Sequence, residues 1–171
     1  MDLRSVQKPL KDKYRTEPGS SVITLKAEAS QVDSPIACSI EVGQKIVEAQ
    51  AHTGVGGPGT AACSGDLLLG ALAACAQLTC QLVATAMGIP FEEIRVEVDG
   101  EMDLRGTLGV SKEVPVGFQD IHARFHIRAP EATSEQLALL KEKTEQYCVV
   151  LQTLKQPPPI RSTWSDRYFK I

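Results

Sequence analysis

Apolar and polar residues alternate in several short stretches of the chain, which predicts strands. Residues 22–29 and 37–42 alternate on either side of the turn signal Asp33-Ser34-Pro35, and residues 45–51 form a third extended piece. The simplest interpretation is a hairpin followed by one more strand.

The clearest alternation lies in residues 93–99 and 121–128, where every second residue is Ile, Val, Ala or Phe. The intervening residues are mainly acidic in the first stretch and basic or histidine in the second. We therefore predict two half-buried strands that pair as antiparallel neighbours, with opposite charges facing each other. Residues 105–110 between them are predicted to contain a turn.

A first long helix is predicted over residues 65–87. Ser64 is a good helix cap, and Asp66 places a negative charge in the first turn, where free backbone amides favour it. Gly88 and then Pro90 end the helix in the usual order. The preceding residues 52–60 are too rich in glycine for a regular element.

A second long helix is predicted over residues 134–153, capped by Thr133 or Ser134. Its apolar residues fall on one face at helical spacing: Leu137, Leu140, Tyr147, Cys148 and Leu151. Cys148 is therefore expected to point inward. Three prolines at 157–159 end the helix, and residues 160–164 are predicted to add a last strand.

The order of these elements predicts an α+β fold with antiparallel sheets. A chain of 171 residues fits one domain, and we assign residues 19–171 to it. Residues 1–18 are a polar, basic N-terminal extension in which residues 9–14 form a short helix.

Residues 67–89 carry no charge over 23 positions, which is long enough to cross a bilayer. Polar residues at 77, 79, 81 and 85 interrupt this stretch, and neither end carries aromatic or basic anchors. A central helix buried on nearly all sides of a soluble domain explains the same pattern, so we expect no membrane partner.

The net charge of −3 argues against a nucleic-acid partner, because phosphate binding needs concentrated Lys and Arg. We find no charged and then apolar leader at the N-terminus, so the expected compartment is the cytoplasm, where thiols stay reduced.

The five cysteines invite a functional and a structural interpretation: Cys38, Cys63, Cys75, Cys80 and Cys148. Free cysteine is usually a small buried apolar residue, and we keep that interpretation for the first, second and fourth. No C-x-x-C motif occurs and the three histidines lack partners at ligand spacing, so no metal site or cofactor is predicted.

The segment 64–75, SGDLLLGALAAC, follows a glycine-rich loop and ends its helix at Gly88-Ile89-Pro90. Together with residues 145–151, EQYCVVL, it resembles the two cysteine segments of the osmotically induced protein C and organic hydroperoxide resistance family (OsmC/Ohr). The resemblance spans residues 22–164 and implies an OsmC-like fold that forms an interlocked homodimer.

In the peroxidase members of that family, one thiolate attacks a hydroperoxide and a second thiol traps the resulting sulfenic acid as a disulfide. The resemblance makes Cys75 the attacking thiol, Cys148 the resolving thiol and a small dithiol the reductant. Such a disulfide needs Cα atoms within roughly 7 Å. Asp66 matches the acidic position of some branches. It lies nine positions before Cys75, on the opposite side of an ideal helix.

The chain departs from the hydroperoxide-resistance branch in three ways. Gly65 stands where that branch has glutamate, residues 29–34 lack its arginine, and Val149 replaces a common proline. A cation to activate Cys75 has to come from elsewhere, and the candidates are Arg15, Lys26, Lys45 and His52.

Three functions follow from these observations. The first is thiol-dependent reduction of an organic hydroperoxide, since apolar residues surround both cysteines. The second is a non-catalytic OsmC-like protein that binds a small apolar ligand or senses redox state. In the third, all five cysteines are core residues without chemistry.

Overall fold

The computed structural model of the chain describes residues 3–165. Its strands are β1 (Ala27–Val32), β2 (Ser34–Val42), β3 (Lys45–Gln50), β4 (Glu93–Glu101) and β5 (Asp120–Arg128). Its helices are α1 (Leu3–Thr16), α2 (Ser64–Met87), α3 (Leu104–Thr107), α4 (Ser134–Tyr147) and α5 (Val149–Lys155), with short 3-10 turns at Pro18–Ser21 and Thr53–Val55. The predicted α+β architecture with antiparallel sheets is confirmed.

The first sheet has the order β1-β2-β3, and both neighbouring pairs are antiparallel. The predicted hairpin is present, but the first strand begins at Ala27 rather than at residue 22. Ala27 pairs with Val42, the last residue of β2, so residues 22–26 have no β2 partner. Alternation alone therefore placed this strand too early.

The second sheet pairs β4 with β5 in the antiparallel arrangement that the charge pattern predicts. Glu97 lies opposite Arg124, and the Arg124 guanidinium also binds the carboxylate of Asp99. These side chains are at least one third exposed, so each pair adds little to stability. Their contribution is to favour this register over others.

Helix α2 begins at Ser64, and its N-cap residue is Cys63 rather than the predicted Ser64. The Cys63 thiol accepts from the Asp66 backbone N–H at 3.5 Å, and the Asp66 carboxylate accepts from the Cys63 N–H at 2.9 Å. This capping box uses a thiol where a hydroxyl is usual. The preference for hydroxyl caps therefore pointed to the wrong residue. Gly88 ends the helix in the left-handed region, as predicted, with φ 69°.

The core lies along one stripe of α2 that packs against β4, α4 and α5. This stripe contains Leu72, Ala76, Cys80 and Ala84. On the other side Leu78 and Leu82 remain 58% and 45% exposed, so burial on nearly all sides is wrong for the single chain. By length and composition α2 could cross a membrane, but a core helix passes the same test.

The predicted helix over residues 134–153 is broken into α4 and α5 at Cys148. The backbone of Cys148 is extended, with ψ 105°, and neither proline nor glycine is present at the break. The Glu145 carbonyl accepts a hydrogen bond of 2.7 Å from Gln152 Nε2. In an unbroken helix this carbonyl would accept from the Val149 N–H.

Three smaller elements also differ from the predictions. Helix α1 spans Leu3–Thr16 instead of residues 9–14, and α3 occupies the predicted turn at 105–110. Residues 160–164 form no strand, and Ile160 and Trp164 are almost fully exposed. An isolated extended segment has no backbone partners, so its alternation alone does not produce a strand.

Candidate functional site

Cys75 and Cys148 meet in one apolar cluster. Cys75 lies in the middle of α2, and Cys148 lies at the break between α4 and α5. Both pack with Leu72 and Ala76. Cys148 is fully buried at 0% exposure, whereas Cys75 is partly exposed. A small oxidant can therefore reach Cys75, whereas the Cys148 thiol lies deeper in the protein.

The pKa of Cys75 is lowered from its ordinary value although burial acts to raise it. The groups that overcome burial are the Val150 backbone N–H, the Cys148 thiol, the Thr79 hydroxyl and the Val149 backbone N–H. All of these are uncharged hydrogen-bond donors, which favour the thiolate over the thiol. Cys75 is thus the more acidic partner of the pair.

The pKa of Cys148 moves the other way. Burial is the main cause that raises it, and the neighbouring Cys75 adds to the increase. A thiolate at Cys75 is therefore accompanied by a protonated Cys148. Two coupled groups whose acidities are pushed apart by their surroundings are typical of functional sites.

Asp66 is not brought to this pair. It lies in the first turn of α2, nine residues from Cys75 and therefore about 13 Å away along the helix axis. Hydrogen bonds from the backbone and side chain of Cys63 are the main cause that lowers its pKa. Its contacts belong to the start of the helix, and a role in thiol chemistry stays a prediction.

No basic side chain is among the groups that lower the pKa of Cys75. Of the four candidate cations, Arg15 pairs with Asp12 at 2.6 Å, and His52 Nδ1 accepts from the Gly54 N–H at 3.0 Å. Lys45 opens β3, and Lys26 directly precedes β1. In the single chain, uncharged groups rather than the expected cation therefore lower the pKa of Cys75.

A cavity of about 430 Å³ lies beside the cysteine cluster. Its apolar walls are formed by residues that include Leu72, Ile121, Phe125 and Leu151. The ion pair between Lys155 Nζ and Glu145 Oε2, at 3.0 Å, lies at its edge. These walls suit an apolar ligand with one polar end, although neither cysteine lines the cavity itself.

Sequence reasoning missed the donors that surround Cys75. Thr79 follows Cys75 by four residues, so both lie on one face of α2. The backbone groups of Val149 and Val150 carry no sequence signal, apart from the pair of β-branched residues that weakens a helix there. Among residues 3–165, no group of three His, Cys, Asp or Glu side chains could hold a metal ion.

Residues 57–163 match the family model described as OsmC-like protein. The chain belongs to the OsmC-like protein family. This match covers more than half of the chain and includes both cysteine segments, so the resemblance seen in the sequence is confirmed. No match was found among curated proteins.

Solved structures of OsmC-like proteins share the fold. The structure of an OsmC-like protein from Mycoplasma pneumoniae has a TM-score of 0.67 and 17% identity, covering 79% of this chain and 89% of that one. An organic hydroperoxide resistance protein from Legionella pneumophila has a TM-score of 0.61 and 18% identity, covering 80% and 92%. Another, from Elizabethkingia anophelis, has a TM-score of 0.60 and 20% identity, covering 80% and 91%.

Proposed function

We propose that this OsmC-like protein reduces organic hydroperoxides, with Cys75 as the attacking thiol and Cys148 as the resolving thiol. The observation that carries the proposal is the contact of two thiols whose pKa values move in opposite directions. An attacking sulfur has to be a thiolate, and a resolving thiol has to stay protonated until the first sulfur has reacted.

The proposed reaction has three steps. The Cys75 thiolate attacks the outer peroxide oxygen, the O–O bond breaks, and the alkoxide leaves as an alcohol after taking up a proton. The Cys75 sulfenic acid then condenses with the Cys148 thiol, which forms a disulfide and releases water. A small dithiol reduces this disulfide and becomes oxidised itself. A reducing compartment such as the cytosol would keep the resting protein in the dithiol state.

An organic hydroperoxide is favoured over hydrogen peroxide because the surroundings of Cys75 are apolar. The nearby cavity offers further apolar contact area to an alkyl chain. Two proteins of similar fold, from Legionella pneumophila and Elizabethkingia anophelis, are described as organic hydroperoxide resistance proteins. We extend that general role in peroxide stress to this chain.

We further propose that two chains form an interlocked homodimer. The exposed apolar face of α2, which includes Leu78 and Leu82, needs a cover that one chain does not provide. Replacing Leu78 by Arg is expected to shift the protein from dimer to monomer in analytical ultracentrifugation, because a charge would be buried unpaired at the interface. A wild-type monomer would contradict this part of the proposal.

A second candidate function is the binding of a small apolar ligand without turnover. The cavity beside the cluster favours it, because neither Cys75 nor Cys148 lines that space. A protein of this kind would consume at most one equivalent of oxidant per site.

Steady-state consumption of an organic hydroperoxide with excess dithiol distinguishes the two candidates. We expect multiple turnovers for the wild type and at least a hundredfold loss for Cys75→Ser and Cys148→Ser, because each step needs its own sulfur. Cys38→Ser is the matched control, since Cys38 lies on β2 outside the cluster. Consumption that stops after one equivalent in the wild type would contradict the peroxidase proposal.

A further inference from the structure

A second cavity lies between α4 and β5, and neither cysteine of the thiol pair lines it. Its volume is about 560 Å³, within the range of roughly 300 to 1,000 Å³ that is usual for small-molecule sites. Three elements give it apolar walls, with Phe125 and Ile127 on β5, Leu137 on α4 and Cys80 on α2. Phe125 also lines the cavity of 430 Å³, so the two spaces are neighbours.

Thr144 lines this second cavity and interrupts the apolar face of α4. It lies one turn after Leu140 and two turns after Leu137, where the helix packs into the core. The residue is 2% exposed, and its hydroxyl has no hydrogen-bond partner within residues 3–165. A helical threonine often bonds a carbonyl one turn earlier, and this one does not. An unpaired buried hydroxyl destabilises the fold, and a bound acceptor would remove that penalty.

The thiol of Cys80 lies beside this hydroxyl. Burial raises the pKa of Cys80, and the Thr144 hydroxyl only partly opposes that rise. No hydrogen bond of ordinary geometry joins the two side chains. A protonated thiol is a weak acceptor, so it leaves the hydroxyl available to a ligand.

A cation stands close to Thr144 on the same face of α4. Lys141 precedes Thr144 by three residues, the spacing at which helical side chains are neighbours. Lys141 both lines the cavity and is exposed, so it lies at the opening. Its ammonium group has no ion pair or hydrogen bond in the part of the chain that the structure describes.

The other charged or titratable side chains at the cavity already have neighbours of their own. These contacts are Arg124 with Asp99, His122 with Arg124 at 3.0 Å, His126 with Glu97 at 3.6 Å, and Glu145 with Lys155 at 3.0 Å. Lys141 is therefore the charge that remains for a ligand, and its sign favours an anion.

We propose that this cavity binds a medium-chain aliphatic carboxylate. One carboxylate oxygen accepts a hydrogen bond from the Thr144 hydroxyl, and the other pairs with Lys141 Nζ. These two partners offset the cost of taking the charge out of water. The alkyl chain lies along Leu137, which is two turns or about 10 Å from Thr144 along the helix axis. This binding does not depend on the peroxidase function, because the thiol pair is not part of the site.

The experiment is titration of octanoate into the full-length protein, followed through methyl resonances by NMR. We expect saturable shifts at Ile127 and Leu137 that exceed those at Ile121 and Leu151, which line only the neighbouring cavity. Larger shifts at Ile121 and Leu151 would place octanoate in that other cavity and overturn the proposal. Shifts that do not saturate would overturn it as well.

Substitutions of Thr144 separate a ligand contact from a purely structural role. Thr144→Val keeps the shape of the side chain and removes the hydroxyl, which should weaken octanoate binding about tenfold. Its unfolding temperature should stay the same or rise, because an unpaired buried hydroxyl is lost. Thr144→Ser keeps the donor and should bind octanoate like the wild type. If Thr144→Val binds as tightly as the wild type, the proposal is wrong.

The carboxylate is tested by comparing octanoate with octanol. Lys141→Gln should weaken octanoate binding about threefold and leave octanol binding unchanged. Lys143→Gln is the matched control, because residue 143 lies about 200° around the helix from residue 141 and pairs with Glu142 at 3.1 Å. That control should bind both ligands like the wild type. Equal affinity of the wild type for octanol and octanoate would contradict recognition of a carboxylate.

Discussion

Two cysteines associated with helix α2 lie in very different environments. Cys63 precedes its first residue, and Cys75 lies in its middle. Cys63 caps the helix and exchanges hydrogen bonds with Asp66, whose pKa these contacts lower. Cys75 packs in an apolar cluster with a second thiol, and the groups that lower its pKa are uncharged.

An acidic residue close in sequence to a cysteine therefore does not by itself make a shared site. The Asp66 carboxylate accepts a hydrogen bond from the backbone at the start of the helix, where it stabilises the folded state. Apart from Thr79, the groups that lower the pKa of Cys75 are distant in sequence and meet it only in the folded chain.

Trapping of sulfenic acid would give the largest difference between these two cysteines. In Cys148→Ser, Cys75 has no resolving thiol, so its sulfenic acid should accumulate after one equivalent of organic hydroperoxide. A 1,3-dione probe and peptide mass spectrometry are expected to show nearly complete labelling at Cys75 and almost none at Cys63. Equal labelling at both positions would remove the distinction.

Core substitutions should show the next largest difference. Leu72 is 1% exposed in the cysteine cluster, whereas Leu68, one turn earlier, is 39% exposed. Leu72→Ala is expected to lower the free energy of unfolding by about 2 to 5 kcal/mol, and Leu68→Ala by less than about 1 kcal/mol. Chemical denaturation measures both, and equal losses would show that Leu68 is buried in the assembled protein.

The smallest effect is expected from Asp66→Ala. Loss of its helix-start contacts should lower the free energy of unfolding by up to about 1 kcal/mol, with no change in Cys75 alkylation. Since the folded pKa of Asp66 is lowered from 3.8, its stabilisation is present above that pH and is lost as pH falls through the folded pKa. The two proteins should therefore converge in acid, and slower Cys75 alkylation in the variant would link the two regions.

Much of the fold could be predicted from the sequence because local signals agreed with the packing. Opposed charges on β4 and β5 matched their register, and Gly88 marked the end of α2. Local signals failed where the outcome depended on partners elsewhere in the chain. Residues 22–26 alternate but have no strand opposite them, and the exposed face of α2 reads as core in the sequence.

The candidate site was only half predictable. The pair Cys75 and Cys148 followed from the family resemblance, and their contact bears out the expectation that Cys148 points inward. The lowered pKa of Cys75 did not follow, because the backbone N–H groups that contribute to it are identical at every residue and carry no signal in the sequence. Val149, a minor departure from the family pattern in sequence terms, contributes such an amide where proline would have none.

The most direct test of the central claim is mass spectrometry of unreduced peptides after purified protein meets one equivalent of an organic hydroperoxide. We expect rapid formation of a disulfide between Cys75 and Cys148, which a small dithiol reverses, with Cys38, Cys63 and Cys80 still reduced. Thiols that all remain reduced under these conditions, or a disulfide that joins other cysteines, would contradict it.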